Sequence, residues 1–439
     1  MVVAGAQGGH ACGSDGGTGG FHPGLLRGEA QAAKPRPVYP AVVMGIPDYL
    51  KRHPCSAAEI GGKAACSGWR RSESLPSITE AERPVRPDDG GRYEWVDALR
   101  LIAALAVFVQ HSFESANSAF FQAIPPAISP GVFGVVLFFV ISGFVMPLSV
   151  RGHFDLRKFA LRRIFRIFPG VLFCYAVMLL LPSIVPPYHL SWMWTAGWKA
   201  WAANLLLIQD YVKVEPFLGV TWTLSLEFAW YGAFALCWWW RRERSIDMLC
   251  KAATVLIIVV TVASLASGHR APLGRLGMLY AATIGAQSYR WIVGEISSRR
   301  MVAWIAVFLV AMMIANLVAF GYFTHPDITL AQSFWPWLIA PAIYFTAVAL
   351  ARGRSTGRVT AFLARLGKVS FSIYMLHGPA IVLTWWVENA LLRILAALVL
   401  TLCASFAMYR WVELPGIAMG RYLAKRITAR QAQVHRSYT

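Results

Sequence analysis

Charge is scarce in this chain, and acidic charge is scarcest. Only 14% of its 439 residues are Asp, Glu, Lys or Arg, against about 25% in a soluble domain. With 57% hydrophobic residues, that deficit excludes an ordinary soluble globular protein and points to an integral membrane one. The 22 acidic residues are outnumbered by 41 Lys and Arg, for a net charge of +19. No basic, aromatic-interleaved soluble domain is present to turn that charge toward nucleic acid. Cysteine is also sparse. The seven cysteines (Cys12, Cys55, Cys66, Cys174, Cys237, Cys250 and Cys403) contain no C-x-x-C or other metal-ligand spacing. Neither a disulfide framework nor a metal site is expected. No partner base or G-x-S-x-G nucleophile elbow surrounds Ser142, and the two halves show no convincing internal repeat.

Long apolar runs are missing from residues 1 to about 90 as well. That stretch is rich in Gly, Pro, Ala and Ser (GGHACGSDGGTGG, AAKPRPVYP, RPVRPDDGG), with no sustained apolar period. Such a composition buries too little surface to offset the entropy of ordering. It also has no charged n-region followed by an apolar h-region, so it does not read as a secretory signal. Residues 1–90 are expected to be a disordered cytoplasmic extension. Residues 91–420 are expected to form one membrane domain, and 421–439 a basic cytoplasmic tail.

What is present past residue 90 is a series of apolar windows of membrane-spanning length, about 17–25 residues each. Ten are read, at approximately 95–113, 131–150, 168–186, 219–240, 248–267, 274–292, 301–323, 332–351, 369–387 and 390–411. The fold class is therefore all-α, with about ten transmembrane helices in one bundle. The connections alternate in charge. One set holds Arg151, Arg157, Lys158, Arg162, Arg163 and Arg166, then further clusters after the fourth, sixth, eighth and tenth windows; the opposite set holds only Lys199, Lys213, Arg270 and Arg275. The positive-inside rule makes the first set and both termini cytoplasmic. Most of the basic charge is then topology.

Against this background a few polar residues stand in the wrong solvent. LRLIAALAVFVQH carries Arg100 and His111 in the first window. Eleven positions at about 100° each come to three turns plus roughly 20°, so both project from one face, ~16 Å apart along the axis. Asp97 precedes Arg100 by three residues, and Glu114 follows His111 by three. A charge at membrane depth costs several kcal/mol and normally faces the bundle interior. The bland alternative for Arg100 is snorkelling to the interface. TWTLSLEFAWYG places Glu227 among Trp222, Ser225, Trp230 and Tyr231 in the fourth window; it has to be paired, protonated or beside water. KFALRRIFRIFPG sets Arg162, Arg163 and Arg166 within about a turn of one another, readable either as an interfacial anchor on acidic headgroups or as a phosphate clamp.

The remaining motifs read more quietly. Ser142-Gly143 in VLFFVISGFVMP suits close helix approach better than catalysis. KVSFSIYMLHGP brings Ser370, Ser372, Tyr374 and His377 into the ninth window, with a kink or break expected at Gly378-Pro379. His377 is readable as a structural histidine or as a second catalytic one. Glu413 in RWVELPG is expected to cap or pair locally. From the residues alone, a transporter using His111 and Glu227 as a proton-coupled path is the rival reading.

Together these segments resemble the membrane-bound acyltransferase family 3, the O-acyltransferases of bacterial surface polysaccharides, nodulation factors and some antibiotics. The likeness covers residues 93 to about 420. It rests on Arg100 and His111 separated by ten residues, on LFFVISGF, RRIFRIFP, TWTLSLE with Glu227, and SFSIYMLHGP with Tyr374 and His377, and on the closing Glu413-x-Pro415. Leu101 and Thr223 depart from the usual glycine and serine. The resemblance implies a stand-alone member, without a fused esterase-like domain, multi-pass in a bacterial inner membrane. It implies acetyl-CoA (acyl-CoA) as co-substrate, no bound cofactor or metal, a saccharide acceptor, membrane lipid as the surroundings and no nucleic-acid partner. It further implies His111, Arg100 and Glu227 as catalytic residues and Arg162, Arg163 and Arg166 as donor-binding. Asp97, Ser142, Trp222, Ser225, Tyr374 and His377 are expected in support.

Overall fold

A computed structural model describes residues 93–116, 128–150, 154–181, 193, 195–241, 244–323, 328–351 and 357–437. The expected extension over residues 1–90 lies outside them, as do the connections at 117–127 and 151–153. Among the described residues every regular element is helical. In chain order these are α1 (Glu94–Ala116), α2 (Pro130–Leu148), α3 (Leu156–Leu180), α4 (Trp198–Leu205), α5 (Thr221–Arg241), α6 (Ser245–Ser267) and α7 (Leu273–Ile292). They continue with α8 (Ser298–Asn316, extended by a π turn Leu317–Tyr322), α9 (Leu330–Ala351), α10 (Arg358–Gly367), α11 (Ser370–Leu383) and α12 (Ala390–Met408). A π turn, Tyr409–Glu413, then joins α12 to α13 (Leu414–Ser437).

Each of the ten expected windows falls on a helix. Among the described residues, seven helices are long and apolar enough to cross a membrane, and an eighth if the bent pair α10–α11 is one span. The other two, α5 and α7, have 21 and 20 residues but are diluted by polar and aromatic side chains. α7 needs little apolar surface toward lipid, because 14 of its 20 residues are buried inside the bundle.

The bundle is organised around α2, which packs against α1, α7 and α9. Its contact with α7 is backbone on backbone. A Cβ on Gly143 would fall 1.8 Å from the carbonyl oxygen of Ala282, and one on Gly285 would fall 1.9 Å from that of Val140. The two glycines face each other's helix reciprocally, as expected for Gly143. Small residues let helices in lipid gain van der Waals contact that bulky ones forbid. Gly367, at the end of α10, makes the same kind of contact with the Asp97 carbonyl of α1.

Three expectations are corrected. The third window, drawn from about residue 168, starts too late: the basic stretch 158–170 leads into it without a break, α3 running from residue 156 through Pro169, because Asp155 caps it early, accepting from the Arg157 and Lys158 amides at 2.9 and 3.2 Å. In the ninth window α11 continues through Gly378-Pro379; the 60° bend lies upstream, between α10 and α11, where Gly367 rests on α1. The tenth span does not end at Pro415. The π turn absorbs the proline, and the helix goes on to Ser437, so the boundary drawn at residue 421 falls inside one continuous helix. Correspondingly, Glu413 pairs far along the chain. It is buried and accepts from the Ser372 hydroxyl of α11 at 3.1 Å.

Candidate active site

The cavity lies where α1, α2, α3, α5 and α11 converge. Arg100 comes from the second turn of α1. Its Nη1 donates to Asp97 Oδ1 at 3.2 Å, and its side chain keeps 19% of its exposure. Asp97 sits in the first helical turn, where the positive end of the helix dipole favours a carboxylate, so local sequence both places it and aims it at Arg100. Arg163 and Arg166 of α3 are one turn apart and face the same space. The Arg163 guanidinium lies over the rings of Phe159 and Tyr231, 5.3 and 4.8 Å from their centroids.

Opposite them, Glu227 and Tyr231 stand one turn apart on α5, and the Tyr231 hydroxyl donates to Glu227. Thr223 of the same helix shares a hydrogen bond of 2.8 Å with Tyr374 of α11. Val135, Phe138, Phe139 and Ser142 of α2 complete an apolar wall. Mouth included, the void measures about 820 Å³. It is a largely apolar chamber with a charged end, the general form of a site that binds an organic group carrying anionic substituents.

Two outer hollows adjoin it. One, between α3 and α13, shares Arg163 and Arg166 with the chamber, and the other shares Arg100 and Arg166. Arg162 is exposed and lines the first of these hollows rather than the chamber. Of the three arginines of the cluster, Arg162 thus stays outside the chamber, while Arg163 and Arg166 line both the chamber and this hollow.

His111 is not in the lining of the chamber. Its side chain is 45% exposed near the far end of α1, with Nδ1 2.9 Å from Glu114 Oε2. Its ring stacks on that of His377, centroids 5.3 Å apart and planes 15° from parallel. His377 is buried, and its ring lies 5.9 Å from that of Tyr374. A row of three rings, Tyr374, His377 and His111, therefore leads from the chamber wall to the exposed end of α1. Gln110 holds that end in place: its Oε1 accepts from Ser129 Oγ at 3.2 Å and from the Gly131 amide at 3.3 Å at the start of α2.

Apart from Arg162, in the outer hollow, the sequence-predicted residues thus fall into three groups. Arg100, Ser142, Arg163, Arg166, Glu227 and Tyr374 share the chamber, with Asp97 behind Arg100. His111 and His377 form the stacked pair beside it. Trp222 and Ser225 are supports elsewhere: Trp222 lies 5.7 Å beneath the Arg275 guanidinium, which pairs with Asp210, and the buried Ser225 carbonyl accepts from Tyr211 at 3.3 Å. Glu227 and His111 belong to different hydrogen-bonded sets. The partner of His111 is Glu114, and its signal in the sequence was the i, i+3 spacing alone. Thr223, as partner of Tyr374, had no such signal, since a contact between α5 and α11 spans 151 residues of chain.

Comparison with known proteins fits this arrangement. The chain is 28% identical over 303 residues to Acyltransferase MdmB of Streptomyces mycarofaciens, covering 64% of this chain and 76% of that one. No solved structure matches significantly. The family model described as Acyltransferase domain matches residues 93–410, from the first described residue to the end of α12 and into the π turn that follows. A membrane helix bundle with the Arg100, His111 and Glu227 signatures in order, matched over that length, is an acyltransferase, and the chain belongs to acyltransferase family 3.

Proposed function

We propose that the chain moves an acyl group, acetyl by default, from acyl-CoA to a hydroxyl of a cell-surface or exported saccharide, in the inner membrane of a bacterium with both termini cytoplasmic. The observation that carries this is the arginine-rich end of an otherwise apolar chamber. Arg163 and Arg166 have no carboxylate in ion-pair contact among the described residues, so these two cations face the chamber without a directly paired anion, the Glu227 carboxylate standing across from them on α5. Guanidinium forks match phosphate oxygens bidentately, and a thioester on a long apolar arm suits the chamber.

The residues take the following parts in this reading. Arg162, Arg163 and Arg166 hold the donor phosphates. Arg100, steadied by Asp97, sits deeper and polarises the thioester oxygen or binds the nearest phosphate. A thioester is already activated, so the remaining needs are a base and a place for the acceptor. With Nδ1–H donated to Glu114, the Nε2 lone pair of His111 is free to take the acceptor's proton. The hydroxyl oxygen then bonds to the acyl carbon, the carbon–sulfur bond breaks, and the coenzyme A thiolate leaves to be protonated. Transfer is direct, without an acyl-histidine. His377 and Tyr374 back His111 on the chamber side, and Glu227, held by Tyr231, orients the acceptor.

The test is consumption of acetyl-CoA by purified full-length protein in detergent, read as free thiol. Thiol release stimulated by added oligosaccharide, with the label recovered as an ester on sugar, is the expected result. Folded protein that neither binds nor consumes acyl-CoA would overturn the donor assignment.

A further inference from the structure

We propose that Arg421, on the helix that extends past the last span, is a specificity residue of the donor site, binding the phosphate farthest from the acyl group. The proposal rests on the acyl-CoA reading above and goes beyond it in assigning α13 a part in recognition.

Placement comes first. α13 docks on α3 through Gly416 and Gly420, four residues apart and hence on one face. A Cβ on Gly416 would fall 2.7 Å from the Phe165 carbonyl oxygen, and one on Gly420 would fall 2.7 Å from the Phe165 Cβ. Arg421 follows directly, at the edge of this seam, and lines both outer hollows. Those hollows reach the chamber through Arg166, shared by all three spaces. Arg421 is therefore one step farther out than Arg166, on the same route.

Charge comes second. The hollow between α3 and α13 is lined by Lys158, Arg162, Arg163, Arg166 and Arg421, against one carboxylate, Asp155. Asp155 is already engaged: it caps α3, and its Oδ2 lies 3.5 Å from Lys158 Nζ. No carboxylate among the described residues forms an ion pair with Arg162, Arg163, Arg166 or Arg421. Glu227 lines the chamber and Asp97 and Glu413 the other hollow, but the five cations around this one still outnumber the carboxylates near them; they repel one another, and a bound polyanion relieves that repulsion. Size comes third. The two hollows measure about 1020 and 1270 Å³, mouths included, far more than one phosphate fills. They suit a ligand whose phosphates are separated. Acyl-CoA has that form, with a pyrophosphate near the pantetheine arm and a 3′-phosphate at the distal ribose. Arg163 and Arg166 face the former; Arg421 faces the latter.

The experiment titrates coenzyme A and 3′-dephospho-coenzyme A into purified full-length protein in lipid-free detergent. Wild type should prefer coenzyme A. Arg421→Ala should weaken coenzyme A binding roughly tenfold to hundredfold, as for loss of one charged hydrogen bond, and leave 3′-dephospho binding unchanged. The preference between the two ligands then disappears. Arg421→Lys should retain part of it. Lys425→Ala, exposed on the same helix and outside both linings, should bind like wild type. Retention of the full preference by Arg421→Ala would overturn the proposal, as would equal weakening of both ligands. Wild type that binds neither would instead remove the acyl-CoA reading, and this assignment with it. Displacement of coenzyme A from wild type, but not from Arg421→Ala, by phosphatidylglycerol-containing micelles would give the subsite to a lipid headgroup and also overturn it.

Discussion

At the scale of single residues, the informative feature is the division of labour around α1. Arg100 and His111 lie on one face, yet they belong to different surroundings. Arg100 is half-buried beside Asp97 in the chamber, and His111 is exposed beside Glu114 and stacked on His377. If His111 is the base, His111→Gln should lower acyl transfer about 10²–10⁴-fold while coenzyme A binding stays near wild type, since an amide keeps the volume but cannot take a proton. Glu114→Gln should lower transfer by less, because the ring loses its orienting acceptor and not its lone pair. Labelled acetyl transfer and coenzyme A titration on protein-matched samples separate these effects. Near-normal transfer by His111→Gln would leave the histidine as a spacer. The sequence made the Arg100–His111 face legible because helical geometry over eleven residues needs no tertiary information. It could not show that His111 stands outside the chamber. Nor could it show that Glu227 bonds to Tyr231, because any carboxylate in an apolar helix reads alike until its partner's rotamer is seen.

At the scale of elements, the apolar windows located the helices and misjudged where some of them stop. A window measures hydrophobic length. It is blind to a helix that continues because another helix supports it, as α13 does along α3, or because a capping aspartate starts it early, as Asp155 does for α3. The ninth window misleads for a related reason. Gly378-Pro379 looks like a breaker, but α11 is enclosed on its buried side, and the bend is set instead by Gly367 against α1. The glycine seam between α2 and α7 gives the element-scale prediction. Gly143→Ala puts a methyl group against a carbonyl that cannot move without its helix, so the cost should reach or exceed about 1–3 kcal/mol, the range for overpacking. Gly232→Ala on α5, where a Cβ meets nothing within 4 Å, should be neutral or slightly stabilising. Thermal unfolding in detergent distinguishes them. Equal melting temperatures would show that the seam yields.

For the whole molecule, charge asymmetry and apolar length together predict orientation. The connection at residues 151–153 should be cytoplasmic, and the one that follows α1, near Asn117, should be on the opposite side. Reporter insertions at those two connections should show opposite activities, and reversal of both would exchange the donor and acceptor sides of the proposed reaction. The chamber was not legible in the sequence, because it is assembled from five helices scattered over about three-quarters of the described chain. The family resemblance supplied the residues but not their order from the outer hollows to the chamber. The seam of Gly143 and Gly285 carries one more consequence, a mechanical one. A transporter that rocks open needs two halves able to swing past each other. Here the two central helices touch through bare backbone, and a slip of one turn would bring Phe139 or Pro147 of α2 to the place where only hydrogen fits. The frame is welded at its middle. On the proposed reading, donor and acceptor approach through separate openings toward a stationary wall, and only the acyl group crosses it.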